Sequence, residues 1–426
     1  MVIIAFILLA HARGTMVEKF PADSSPMDTD SSSPFEDSSW ESNCKANEDI
    51  LASMFRSGVL QAEGLHAFPM DGRQLTSKGV FEFVGPSVHT SFDSKIFFAR
   101  KEGIREANFV VKYMHDCGVL MDPRSGLTFE NAYVPLVHDF AFSYLLSRSG
   151  VVPRLVWKSE LTPLPLQSGI FEMSVEETED CLASGALFRT LVEERAGLTL
   201  EDHFANLMLA LEFRPDSPSR RTAEEAYLRE VIWATSEALK LLEVAHSGGI
   251  VHGDFHGRNI AFRGPGKRAL VLIDLGMAAL VCSESVRSET PERISVGIRT
   301  PWQLEEQGVK GFRDDVFRVL ETMANWLSFG AWDESVQRII ADPQIPRAEK
   351  KVLMRQFKMR AKLFGRGVNY DAFHVLKNID PETIRFVREV MDDIMMYVRI
   401  IPSADTPVEF EYLQEQLGEI SERVGA

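Results

Sequence analysis

The sequence predicts an α+β protein of two unlike lobes, a small β-rich one followed by a larger helical one. Three observations carry that prediction. Runs of β-branched and aromatic residues at 80–84, 94–100 and 108–114 are separated by turn-forming breaks. Apolar residues at helical spacing dominate from residue 198 onward. The 426 residues, 45% hydrophobic and 25% charged, are ordinary for a chain with a large core of its own.

The elements follow in order. After the three strands, Tyr133 to Leu146 reads as a helix, and the runs 151–157 and 185–194 read as further strands. The stretch 198–213 is helical, with Thr199 placed to cap it and Glu201 and Asp202 in its first turn. A long amphipathic helix over 223–249 ends at Gly248 and Gly249. A short β region holds IVHGD and ALVLIDLG, and four helical stretches close the chain at 313–328, 347–364, 380–398 and 407–422. Strands first and helices after make a segregated α+β arrangement.

Composition excludes several classes. The charge sum is 46 − 62 = −16, so phosphate backbones are repelled over most of the surface and no nucleic-acid partner is expected. Val2 to Ala10 is wholly apolar and is followed by Ala10-His11-Ala12, so residues 1–12 are signal-like but far too short for a membrane span. The protein is secreted if that segment is a signal, and cytoplasmic if Met16 or Met27 is the start. Residues 13–50, rich in Ser and acids, are expected to be disordered. Cys44, Cys117, Cys181 and Cys282 lie far apart, with no metal-binding spacing, and a chain of this size needs no disulfide framework.

The chemistry concentrates in IVHGDFHGRNIAFRGPGKRALVLIDLGMA, residues 250–278. It holds His252-x-Asp254-x4-Asn259, then Asp274-Leu275-Gly276 fifteen residues after the Asn. This joint pattern resembles the catalytic loop and metal-binding motif of the protein kinase superfamily. The resemblance implies a two-lobed kinase-like fold, with an N-lobe over 76–196 and a C-lobe over 197–426. It implies ATP and Mg2+ as cofactors and a protein substrate. Asp254 would accept the hydrogen bond of an attacking hydroxyl. Asn259 and Asp274, on hairpin-connected strands, would offer hard oxygen ligands to magnesium.

The same resemblance assigns the first lobe. Lys112, on the third strand, would hold the nucleotide phosphates and pair with Asp139 on the following helix, one methylene shorter than the family's usual Glu. Of the family's phosphate-covering glycines only Gly85 remains. Backbone groups from Glu194 to Ala196 would face adenine. Asp315 would hold the catalytic-loop backbone. The runs 192–204, 313–315 and 405–417 look most like casein-kinase-type Ser/Thr enzymes.

Two departures stand out. Gly253 replaces the Arg that reads a phosphorylated activation segment, so no such switch is expected. His256 replaces the usual Lys two residues after the catalytic Asp, giving the HGDxHxxN form of aminoglycoside-type and other atypical kinases. Transfer to protein Ser/Thr hydroxyls is the leading expectation, supported by the long stretch between Asp274 and Asp315, where a peptide could dock. A small-molecule phosphotransferase and a pseudokinase binding module are the alternatives.

Overall fold

In the computed structural model the described residues are 39–56, 72–90, 94–116, 133–159, 162–163, 179, 181, 183, 187–213, 218–264, 268–282, 299–305, 311–360 and 376–425. They fall within one compact unit, Asp37–Ala426. The signal-like segment 1–12 lies outside the described residues.

The β-rich lobe is a single antiparallel sheet. Its strands are β1 (Arg73–Thr76), β2 (Gly79–Phe83), β3 (His89–Thr90), β4 (Ser94–Lys101), β5 (Phe109–Asp116), β6 (Leu155–Lys158), β7 (Thr162–Pro163) and β8 (Leu187–Glu194). The order is β1-β2-β4-β5-β8-β6, with β3 added to β4 and β7 to β8. β5 pairs along its whole length with β8, setting Lys112 opposite Leu191. Phe81, Ala99, Val111, Tyr113, Phe188 and Val192 fill one face of the sheet. The alternation of side chains along a strand sends Lys112 to the other face, toward helix α2 (Tyr133–Leu146).

The helical lobe begins with α3 (Leu200–Glu212) and α4 (Pro218–Ser247). Thr199 caps α3 as expected, its hydroxyl accepting the Asp202 N–H at 3.2 Å. Short strands β9 (Ile250–Val251), β10 (Ile260–Phe262), β11 (Leu270–Leu272) and β12 (Ala279–Leu280) follow. β10 pairs with β11, and β12 returns to pair with β9. Then come α5 (Pro301–Glu305), α6 (Phe312–Leu327), α7 (Ala331–Ala341), α8 (Arg347–Arg360), α9 (Pro381–Ile400) and α10 (Phe410–Gly425).

Helix α6 is the hub. Val316, Phe317, Leu320, Met323, Ala324 and Leu327 are all buried, and so are Arg313, Asp314, Asp315 and Glu321. Each large apolar side chain fully buried contributes roughly 1.5–3 kcal/mol. The helix is buried almost all round, so it lies at the centre of the core, and the buried charges on it must have partners.

Three expectations are corrected. Trp40–Arg56 is a helix, α1, so the stretch 13–50 is not disordered throughout; residues 13–38 lie outside the described residues. Four C-terminal helical stretches were expected, and the short α5 and α7 add two more, with Val336 buried beneath α7. The cysteines are bonded after all: Cys44 and Cys282 form a disulfide across 238 residues of chain, and Cys181 is disulfide-bonded too. Among the described residues no helix is long and apolar enough to cross a membrane.

Candidate active site

The β10–β11 hairpin builds the centre. Ile260 lies opposite Leu272, so Asn259, just before β10, and Ile273, just after β11, are neighbours, and the Ile273 N–H donates to the Asn259 carbonyl at 2.9 Å. Asp274 is therefore delivered beside Asn259. Asp274 has φ +60°, in the left-handed region that a residue with a Cβ rarely adopts, and its side chain is 56% exposed. Strain of this kind persists where surrounding contacts over-determine it, and it concentrates at functional positions.

The loop before β10 is held from both sides. The Asn259 amide donates to the Asp254 carbonyl at 2.9 Å and to its carboxylate at 3.3 Å. His252 Nε2 lies 3.2 Å from the Ile273 carbonyl, while its Nδ1 accepts the Asp254 N–H at 3.3 Å. Those two contacts, one on each ring nitrogen, fix the orientation of the ring. From beneath, Asp315 accepts the His252 N–H at 2.7 Å, the Gly253 N–H at 2.9 Å and the His246 ring at 3.2 Å. Burial pushes the Asp315 carboxyl up, but these donors outweigh it and hold the group below the usual aspartate range.

Asp254 stands at the loop mouth with His256 Nε2 at 3.6 Å. Burial raises its carboxyl; the His256 ring, with His252 and Arg318, outweighs that and brings it down to about 2. The other His256 nitrogen accepts the Arg258 N–H at 3.2 Å, so the ring is fixed in orientation.

Lys112 joins the two lobes. Its ammonium pairs with Asp139 and lies 3.8 Å from Asp274. Asp139 also accepts the Leu275 N–H at 2.9 Å, so one buried carboxylate ties the lysine to the backbone following Asp274. The shorter side chain thus reaches as the family's Glu would. Burial disfavours the Lys112 charge, but Asp139, Asp274 and Glu193 outweigh it and raise its pKa.

The remaining expected residues are placed as follows. Gly85 lies in the turn after β2 with φ +83° and open space around it; in this conformation a residue other than glycine would be strained. Glu194 is turned outward, its carboxylate on Arg154 at 2.7 Å and its N–H on the Arg154 carbonyl at 2.9 Å. The Arg195 N–H goes to Asn108 at 2.8 Å. No backbone carbonyl among the described residues takes the Ala196 N–H.

Sequence reading missed four parts of the site. Glu193 faces the cleft with Lys112, its carboxyl raised to about 7 by burial and by Asp139 and Asp274 against the pull of Lys112. Period-two alternation from Leu191, the partner of Lys112, could have placed it. Arg318 donates to the Phe255 carbonyl at 3.2 Å and pairs with Glu321 at 2.6 Å. Lys358 pairs with Glu321 at 2.8 Å and donates to the Arg299 carbonyl at 2.9 Å. Asp314, its carboxyl raised by burial to about 7, holds the Thr300 hydroxyl.

The donors fit ATP and magnesium. Asp274 and Asn259 offer hard oxygens side by side. Among the described residues no cluster of three or more His, Cys, Asp or Glu could hold a metal unaided. Magnesium commonly takes one or two carboxylates and completes its octahedron with phosphate oxygens and water, which such a pair suits.

No curated protein matches the chain. Residues 100–280, from the end of β4 through β12 and including Lys112, Asp139, Asp254, Asn259 and Asp274, match the model of the APH phosphotransferase enzyme family, which supports a phosphotransferase of the protein-kinase-like superfamily.

Proposed function

We propose that this chain transfers the γ-phosphoryl group of ATP, with magnesium, to Ser or Thr hydroxyls of a protein substrate. The observation that carries phosphoryl transfer is the link from Lys112 on the sheet through Asp139 to Leu275, with Asp274 3.8 Å from the same lysine and Asn259 beside it. Bound magnesium neutralises charge on the phosphates and favours their transfer. Lys112 holds the phosphates as a fixed cation. Asp254 accepts the hydrogen bond of the incoming hydroxyl and orients it. A carboxylate at about 2 is a weak base, so its role is to aim the hydroxyl and to receive its proton late. His256, locked between Asp254 and the Arg258 N–H, keeps that carboxylate in place and presents a ring edge where the family has Lys.

The 40 positions between Asp274 and Asp315 favour a peptide substrate, because they leave length for a docking segment. The family match favours a second reading, a small hydroxylated molecule as acceptor. The disulfides favour an oxidising compartment, so we place the protein's work in the secretory pathway or outside the cell.

The test pairs binding with transfer. Wild type and Asp254→Asn are titrated with MgATP by thermal shift, then assayed with labelled ATP against a peptide panel and a panel of small alcohols. Equal ATP binding, with transfer to peptides slowed at least about a hundredfold in the variant, supports the proposal. Transfer only to small alcohols establishes the second reading. ATP binding without any transfer by wild type makes the fold a binding module.

A further inference from the structure

The disulfide lies at a mechanically sensitive place. Cys282 lies two residues past the end of β12, and β12 is paired with β9, Ala279 against Val251 and Leu280 against Ile250. β9 runs straight into His252, Gly253 and Asp254. The Val281 N–H donates to the Gly249 carbonyl at 2.9 Å, and the next N–H, of Cys282, donates to Cys44 Sγ at 3.2 Å. The bond thus clamps the outer end of the strand pair whose inner end is the catalytic loop.

Helix α1 is the other half of the clamp. The Asn43 amide donates to the Ser247 carbonyl at 3.0 Å, and the Asn47 amide to the Gly248 carbonyl at 2.8 Å. These carbonyls belong to the C-terminal end of α4, where helix geometry leaves them without intrahelical partners. Trp40 packs edge-on against Phe312 at the start of α6. Gly249, at φ +70°, has no room for a side chain: a Cβ there would lie 2.3 Å from Cys44 Cβ. α1 is seated tightly on the turn between α4 and β9, and the disulfide is its covalent anchor.

The two sulfurs differ in access. Cys44 is fully buried, whereas Cys282 is exposed. An external thiolate can reach the Cys282 sulfur, displacing Cys44 as the leaving thiolate. The second thiol of a dithiol reductant then resolves the mixed disulfide. Two electrons and two protons leave the dithiol, which ends as its own disulfide, and both cysteines end as thiols.

We propose that Cys44–Cys282 is a redox latch on the catalytic loop: closed, it fixes α1 and the β9–β12 pair leading to Asp254; opened by a dithiol, it releases α1 and loosens that pair. A cross-link spanning so much chain removes much freedom from the open ensemble, and local opening is governed by such restraints. The latch is independent of the substrate class and of the phosphotransfer reading.

Amide hydrogen exchange on the full chain tests it, comparing oxidised wild type, dithiothreitol-treated wild type, and Cys282→Ser without reductant. The variant separates this bond from that of Cys181, which the reductant also opens. Exchange in 40–56, 249–253 and 279–282 is expected to quicken about tenfold or more in both open forms, with 260–262 and 270–272 changing little. If Cys282→Ser does not fold, Cys44→Ser opens the same bond and gives the same comparison. Unchanged exchange in 249–253, with alkylation showing both thiols open, overturns the proposal. So does finding Cys44 and Cys282 as free thiols in protein made in an oxidising compartment.

Discussion

Replacing Asp315 by Ala removes the acceptor of two catalytic-loop N–H groups. Both oxygens are in use, at 2.7 and 2.9 Å to His252 and Gly253, and the His246 ring sits at 3.2 Å. Hydrogen bonds to a charged acceptor are worth about 1.5–3 kcal/mol each, and the orphaned buried donors add a desolvation cost. The expected loss is about 3–5 kcal/mol, the range for breaking a buried charged contact. At about 2.1 cal/mol/K of unfolding entropy per residue, a chain of this size then falls in Tm by roughly 3–6 °C. Asp315→Asn, which keeps one acceptor but sets an NH2 against the other N–H, should lose somewhat less. The pH dependence has a fixed sign. The folded Asp315 carboxyl is held below its ordinary value, so its contribution is present above the unfolded pKa of about 3.9 and disappears as pH falls through the folded value. The gap between wild type and Asp315→Asn in thermal unfolding should be full at pH 7 and narrow only in strong acid. An unchanged Tm at pH 7, or a gap that closes between pH 8 and 6, would refute the reasoning.

Asp314→Asn should behave in the opposite way. Its carboxyl is raised to about 7 by burial, so its favourable contribution is complete below the ordinary aspartate pKa and lost as pH rises through 7. The variant should therefore gain on wild type between pH 5 and 8, by a few kcal/mol at most, provided the amide still meets Thr300; a parallel pair of stability–pH curves would count against it. Changing Ser285, Ser288, Thr290 and Ser295 together to Ala should leave initial phosphoryl-transfer rates within about twofold, because Gly253 supplies no cation to read a phosphate there. Loss of most activity, restored by acidic replacements, would show that another cation does so.

The parts of the site legible in the sequence are those whose spacing is fixed locally. His252, Asp254 and Asn259 sit on one short loop, and Asp274 returns to them across a hairpin, so chain distance alone brings them together. Lys112 was legible because strand count and the preceding valines placed it, and Asp139 because it is the acid on the next helix. What stayed hidden depends on contacts between remote positions. Helix α1 reads as an extension of the Ser- and acid-rich tail because its partners, Ser247, Gly248 and Cys282, lie some two hundred residues away. The Glu321–Lys358 pair looks like two surface charges on separate amphipathic helices, and only burial shows otherwise. α7 escaped because it is short, 11 residues, and only three residues separate it from the end of α6, so the two read as one helical stretch followed by a loop.

The hidden contacts bear on how the stretch after Asp274 is held. Its first residues are fixed by the β9–β12 pair and by the disulfide at Cys282. Its last residues are fixed on α6 and α8, through Thr300 on Asp314 and through Lys358 on the Arg299 carbonyl. The Lys358 charge is itself compensated by Glu321, which also binds Arg318, and Arg318 reaches back to the Phe255 carbonyl in the catalytic loop. The far end of the stretch is therefore wired to the residue after Asp254 through Lys358, Glu321 and Arg318. A phosphate read by an Arg beside the catalytic Asp would supply the same connection on demand. With Gly253 in that place, the connection is made by Glu321 and its two cations at all times. Cutting it at Glu321 should disturb both the Phe255 carbonyl and the Arg299 carbonyl, although neither touches Glu321 directly.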